Sequence, residues 1–142
     1  MLVGITASGV TPYVLGVVEE ARNKGILTSC ITSNEGSPLE AMVDIPIVTV
    51  TGPEFVTGST RMKSGTALKL ILNMISTAVM IRMGHVRGNR MVDMELTNSK
   101  LVDRGTRMIM EETGITDYEY ARRLLLSSGN VRAAVESYKN VQ

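Results

Sequence analysis

LVGITASGVTPYVLGVVEEARNKGILTSCITSNEGSPLEAMVDIPIVTV, residues 2–50, decides the fold. Leu2–Ile5 is a short apolar run that reads as a strand, and TASGVT follows at once. Residues 12–24 read as a helix with Val14, Leu15, Val17, Val18 and Ala21 on its apolar side. Pro12 suits the first helical turn, where a missing N–H is no loss. Gly25 falls just past the last turn, a common place for glycine. LTSCIT (27–32) is a second strand, Asn34–Pro38 a loop, 39–43 one helical turn and IPIVTV (45–50) a third strand. Strand–helix–strand–helix–strand with short loops predicts the α/β class, a parallel sheet with helices on its faces. Three strands is few for such a sheet, so the chain reads as part of a larger one.

Moving outward, GPEFVTG (52–58) is a loop, and Ser59-Thr60 can cap a long helix over about 61–83. Within it, TALKLILNMISTAVMIRM (66–83) is strongly apolar but contains Lys69, Asn73 and Arg82. A membrane span needs about 20 largely uncharged apolar residues, so a buried helix of a soluble domain is predicted instead. Gly84, Gly88 and Asn89 interrupt the pattern, and residues 90–95 carry no clear period. Thr97 or Asn98 caps a helix over 99–113 that Gly114 ends. A helix from 116 or 117 to 126, the turn Ser127-Ser128-Gly129-Asn130 and a helix over 131–141 form a small helical module. The expected domains are therefore 1–113 and 114–142.

The chain's 142 residues suit one compact domain, or one with a small appendage. Fifteen basic and 14 acidic residues leave a net charge of +1, which argues against a nucleic-acid backbone or an anionic membrane as partner. One cysteine, Cys30, and one histidine, His85, exclude a disulfide framework and a multi-Cys or multi-His metal centre. With no secretory-type opening, a cytoplasmic location is expected. Cys30 reads as a packing residue in a buried strand, and His85 as structural rather than lining a site.

Two stretches carry chemistry. Thr6-Ala7-Ser8-Gly9-Val10-Thr11 lies between the C-terminal end of a strand and the start of a helix, where open α/β sheets bind ligands. Such a helix start offers free N–H groups and partial positive charge to a phosphate. Thr6, Ser8 and Thr11 add hydroxyls, and Gly9 lets the backbone approach closely. Neither a Walker loop nor a GxGxxG fingerprint is present. The plainer alternative is that these hydroxyls cap the helix, although one cap needs only one of them. The second stretch, GPEFVTGSTRMKSGTALK (52–69), sets Arg61 and Lys63 in the first turn of a helix, where cations oppose the helix dipole. They could hold an anion, point into solvent, or, for Arg61, pair with Glu54.

GPEFVTGSTRMKSGTALK resembles the signature of the N-acetylmuramic acid 6-phosphate etherases, which the animal glucokinase regulatory proteins share. LILNMISTAVMIRMGHVRGNRMVDMELTNSKLVDR, VGITASGVTPYVLGVVEEAR and the helix–Ser-Gly-Asn–helix tail are similar to the bacterial etherases as well. The resemblance implies a sugar isomerase (SIS) domain, a three-layer α/β/α fold. Here it would be incomplete, with about three strands, and followed by a small C-terminal helical module.

It further implies a phosphosugar site. The loop Thr6, Ala7, Ser8, Gly9 and Thr11 would grip the phosphate, Ser59 and Thr60 would border the sugar, and Arg61 and Lys63 would hold ligand or loop. Glu54 would fix the loop. The implied reaction removes D-lactate from a phosphorylated amino sugar without metal or redox cofactor, in a cytoplasmic homodimer that takes part in peptidoglycan recycling. In that family the two acid–base glutamates lie before the TASG-type loop, and no position here matches them. No catalytic residue is assigned, and the chain alone is expected to be inactive. A non-enzymatic phosphosugar-binding regulator and a remnant that binds nothing are the alternatives.

Overall fold

The computed structural model describes residues 1–140. They form two compact units that divide between Ser76 and Thr77. The division falls within a helix.

The first unit opens with β1 (Leu2–Ile5), α1 (Pro12–Asn23), β2 (Thr28–Thr32), α2 (Pro38–Met42) and β3 (Ile45–Val48). The strands form a parallel sheet in the order β1-β2-β3, with Gly4 opposite Cys30 and Cys30 opposite Pro46. Paired residues of parallel strands share a face, so Gly4 and Cys30 look one way and Val3, Ile5, Ile31 and Ile45 the other. Helices α1 and α2 pack on the first face, through Val18 and Leu39 against Cys30. A Cβ on Gly4 would lie 2.9 Å from Val18 Cγ2, so this glycine sets how closely α1 sits on the sheet. On the opposite face Val3, Ile5 and Ile45 stay exposed. Cys30 is a free, buried thiol whose pKa burial pushes up, in keeping with a packing role.

The central strand is buried at all five positions although three of them are hydroxyl residues. Each hydroxyl is satisfied, as burial requires. Thr28 Oγ1 and its amide both donate to Asp44 Oδ2 at 2.8 Å. These bonds hold the Asp44 carboxyl below its ordinary pKa range. Ser29 Oγ donates to Ile45 O at 2.7 Å, and Thr32 Oγ1 to Ala7 O at 3.2 Å.

Helix α3 (Lys63–Arg82) departs from expectation in two ways. It begins at Lys63, without a cap from Ser59-Thr60, because the Glu54 carboxylate takes its first free amides. It is also not buried. By length and composition it could cross a membrane, at a mean hydropathy of 1.4, yet 6% of that stretch is buried. Leu70, Met74, Met80 and Ile81 are exposed. The physical reason is the width of its apolar stripe. Apolar side chains run around most of the helix, and no other described element packs extensively along it.

Residues 86–91, unassigned from sequence, form a hairpin of β4 (Val86–Arg87) and β5 (Arg90–Met91). Gly88, at φ +61°, takes the first position of its two-residue loop, where tight hairpin turns need positive φ. Then follow α4 (Ser99–Thr113), α5 (Tyr118–Ser128) and α6 (Val131–Lys139). Asn98, Asp117 and Asn130 cap them through their side chains, and Gly114 and Gly129 end α4 and α5 in the left-handed conformation. The end of the last expected helix, at 141, lies outside the described residues. Met108 and Ile109 of α4, Ala121 and Leu125 of α5 and Val131, Ala134 and Val135 of α6 form one core with Val92 and Met94. Helix α4 thus shares its core with the two helices of the expected tail module. Asp93 ties α6 to the hairpin: Arg132 Nε and Nη2 donate to its two oxygens at 2.9 and 2.8 Å, and His85 Nδ1 lies 2.9 Å from Oδ2. These bonds, Arg132 first, lower the Asp93 pKa to about 2. His85 therefore has a structural partner.

Candidate functional site

The bend after β1 and the loop before α3 face each other across a cleft of about 430 Å³. Ala7 and Ser8 line it on one side, Ser33 and Asn34 follow from the end of β2, and Thr51–Glu54, Thr57–Thr60 and Ser64 close it. The position is the C-terminal edge of a parallel sheet, where strand ends and helix starts leave unused backbone groups.

The bend is held from beneath. Thr32 Oγ1 and the Ser33 amide both donate to Ala7 O, and Asn34 Nδ2 donates to Ser8 O at 2.9 Å. Thr6 Oγ1 and Thr11 Oγ1 share a hydrogen bond of 2.7 Å, with Ser8 Oγ 3.3 Å from Thr6 Oγ1. Thr11 stands at the N-cap of α1, yet its side chain caps no amide. The capping alternative thus fails for its hydroxyl, which braces the bend instead. Gly9 turns the chain at φ +69°, and its amide reaches Thr6 O at 3.3 Å. No hydrogen bond engages the amides of Ala7 or Ser8 among the described residues. Ser33 Oγ is buried and also has no partner among them.

Glu54 is the only carboxylate lining this cleft. Its Oε2 accepts from the Lys63 amide at 2.9 Å and its Oε1 from the Ser64 amide at 3.1 Å. These two bonds, Lys63 first, lower its pKa. A carboxylate held ionised and engaged at both oxygens is a helix cap, poorly placed to deliver a proton. Lys63 Nζ donates to Pro53 O at 2.8 Å, within the loop that precedes α3. Arg61 does not pair with Glu54; it is exposed and borders an adjoining groove that shares Glu54 and Ser59 with the cleft and adds Val56 and Met62.

Of the residues singled out from sequence, the cleft gathers Ala7, Ser8, Ser59 and Thr60. Thr6, Gly9 and Thr11 shape the bend behind it, while Lys63 and Arg61 lie outside its lining. Sequence reasoning missed Ser33, Asn34, Thr51, Thr57 and Ser64. The signal for Ser33-Asn34 was present: they directly follow a strand of the same parallel sheet, as Thr6-Ala7 do. Among the described residues, no group of three His, Cys, Asp or Glu could hold a metal ion.

A parallel sheet with a cleft at its strand ends defines an α/β ligand-binding frame, and a solved structure shares the fold. A protein described as a phosphosugar isomerase involved in capsule formation, from Bacteroides fragilis, superposes with a TM-score of 0.53 at 29% identity, over 58% of this chain and 45% of its own. No protein-family model matches the chain. Curated relatives narrow the class. The chain is 64% identical over 138 residues to the N-acetylmuramic acid 6-phosphate etherase of Porphyromonas gingivalis, covering 97% of this chain and 50% of that one. It is 60% identical over 138 residues to the etherase of Bacteroides fragilis, with 97% and 49% covered. To that of Christiangramia forsetii it is 61% identical over 140 residues, with 99% and 51% covered. The etherase resemblance carried by residues 52–69 therefore extends along the whole chain, and the regulator alternative is not favoured. The chain spans about half the length of the curated relatives it matches.

Proposed function

We propose that this chain is the phosphosugar-binding portion of an N-acetylmuramic acid 6-phosphate etherase. The observation that carries the reading is the cleft itself: Ala7 and Ser8, whose amides are unengaged, line it together with Ser59 and Thr60. Amides and hydroxyls on a rigid bend suit a phosphate monoester, whose oxygens accept several hydrogen bonds at once. Ala7 and Ser8 take the phosphate, and Ser59 and Thr60 take sugar hydroxyls. Thr6, Gly9 and Thr11 hold the bend, and Lys63 and Glu54 hold the opposite loop. Arg61, exposed beside it, meets the ligand's outer edge.

The reaction proposed for the whole enzyme cleaves the D-lactyl ether at C3. With the sugar ring open, the C1 aldehyde acidifies the C2 proton. A base removes that proton, the C3–O bond breaks, and an acid protonates the departing lactate oxygen. Water then adds across the new double bond to give N-acetylglucosamine 6-phosphate and D-lactate. The step needs a free base and a free acid. Glu54, occupied by two amides, is neither, so this chain alone binds but does not turn over. The reading also takes the enzyme as a cytoplasmic homodimer of peptidoglycan recycling, its apolar α3 surface supporting self-association.

Calorimetry tests it. The chain is expected to bind N-acetylglucosamine 6-phosphate and not N-acetylglucosamine, and to release no lactate from N-acetylmuramic acid 6-phosphate. Absence of heat with either phosphosugar would overturn the binding reading, and lactate release by this chain would overturn the inactivity.

A further inference from the structure

A second cleft is formed by residues 89–111 alone, between the β4–β5 hairpin and α4, with a volume of about 680 Å³. Its floor is apolar: Met94 and Met108 are buried there, while Met91 stands at the rim. Its walls are charged, with Arg90, Lys100, Arg104 and Arg107 set against Asp103 and Glu111.

The pairing leaves an excess. Arg90 Nη1 lies 2.5 Å from Glu111, and Arg107 Nε lies 3.0 Å from Asp103. Asp103 also accepts from Tyr118 Oη at 2.9 Å, so both its oxygens are engaged. Lys100 and Arg104 have no carboxylate partner among the described residues. They stand four apart on one face of α4, where like charges repel, and Lys100 is in the helix's first turn, where a cation opposes the dipole. Two uncompensated cations beside a methionine floor form an arrangement that an anion stabilises. Arg104 offers a forked donor and Lys100 a point charge, the usual pair for a phosphate dianion.

We propose that this hairpin–α4 cleft is a second anion site, binding a phosphate monoester through Lys100 and Arg104 with the ester's carbon body on Met94 and Met108. The inference rests on residues 89–111 and not on the Ala7–Ser8 cleft, so the two readings fail separately.

The test is an amide-shift titration of the isotope-labelled chain with glucose 6-phosphate, inorganic phosphate, glucose and sodium chloride. Saturable shifts are expected along 99–108 with both phosphates, tighter for the sugar phosphate, and none with glucose. The double variant Lys100→Gln/Arg104→Gln is expected to weaken that response at least about tenfold, while shifts at Ala7 and Ser8 persist. Removal of two surface charges leaves the core intact, and undisturbed shifts at Ile109 and Leu125 would show it. A linear response matched by chloride would mean simple screening and overturn the proposal. So would equal affinity in the double variant, or no response along 99–108. Equal affinity for inorganic and sugar phosphate would remove the methionine floor from it.

Discussion

Replacing Gly9 by alanine tests the bend most directly. At φ +69° an L-residue pays about 1–2 kcal/mol for the left-handed conformation. The added methyl would also lie 2.3 Å from both Cβ and Oγ of Ser37. Ordinary carbon contacts sit near 3.5 Å, so about 1 Å of separation must be made up. Ser37 cannot easily give way: it is buried, it caps α2 through Oγ, and its Cβ moves only with the backbone. Overpacking of this kind adds about 1–3 kcal/mol, for a total of about 2–5. Gly36 is the control. It has nearly the same φ, +71°, and nothing within 4 Å of a Cβ, so Gly36→Ala should lose only about 1–2 kcal/mol. The chain lacks tryptophan. Native-state hydrogen exchange at the Cys30 and Ile31 amides, within the central strand, is therefore a suitable readout. Gly9→Ala should also weaken phosphosugar binding, because Ser8 moves with the bend. Equal losses at the two glycines would refute the steric argument.

Other expectations follow from the second unit and from α3. Gly105→Ala should destabilise although alanine is the better helix former by about 1 kcal/mol. Its Cβ would lie 2.8 Å from the buried Leu125 Cδ2, and overpacking costs about 1–3 kcal/mol; thermal melts of the variant would decide. Asp93, with a folded pKa near 2 against 3.8, contributes stability that is present above pH 3.8 and lost as pH falls toward 2. Asp93→Asn should lower the urea midpoint at neutral pH and flatten its fall over that window. Glu54→Ala should speed hydrogen exchange at the Lys63 and Ser64 amides, whose carboxylate acceptor it removes, and unchanged protection there would show that Glu54 does not cap α3.

Much of this was legible in the order of residues. The three strands, α1 and α4 follow from apolar runs, Pro12, Asn98 and Gly114, all of them local signals. The Ala7–Ser8 bend was legible as a candidate because a strand end followed by a helix start lies at the ligand-binding edge of open parallel sheets. What escaped was long-range. Glu54 caps a helix nine residues further on, a pairing with no period to announce it. Ser33 reaches the neighbouring bend only through its amide bond to Ala7 O, between segments far apart in sequence. The hairpin strands are two residues long, too short for alternation to show. Burial of α3 was inferred from its composition, but composition reports what a helix could pack against, not what is there.

The hydroxyls inside β2 have a consequence for folding. Side chains alternate with period two, so a slide by two residues along a neighbour would keep every apolar group on its proper side. Greasy contacts alone could scarcely tell the shifted alignment from the correct one. Thr28, Ser29 and Thr32 can tell, because the slide would strand their donors away from Asp44, Ile45 and Ala7, at roughly 1–3 kcal/mol apiece. The strand carries its own vernier, and the mouth of the cleft beside Ala7 is aligned by it.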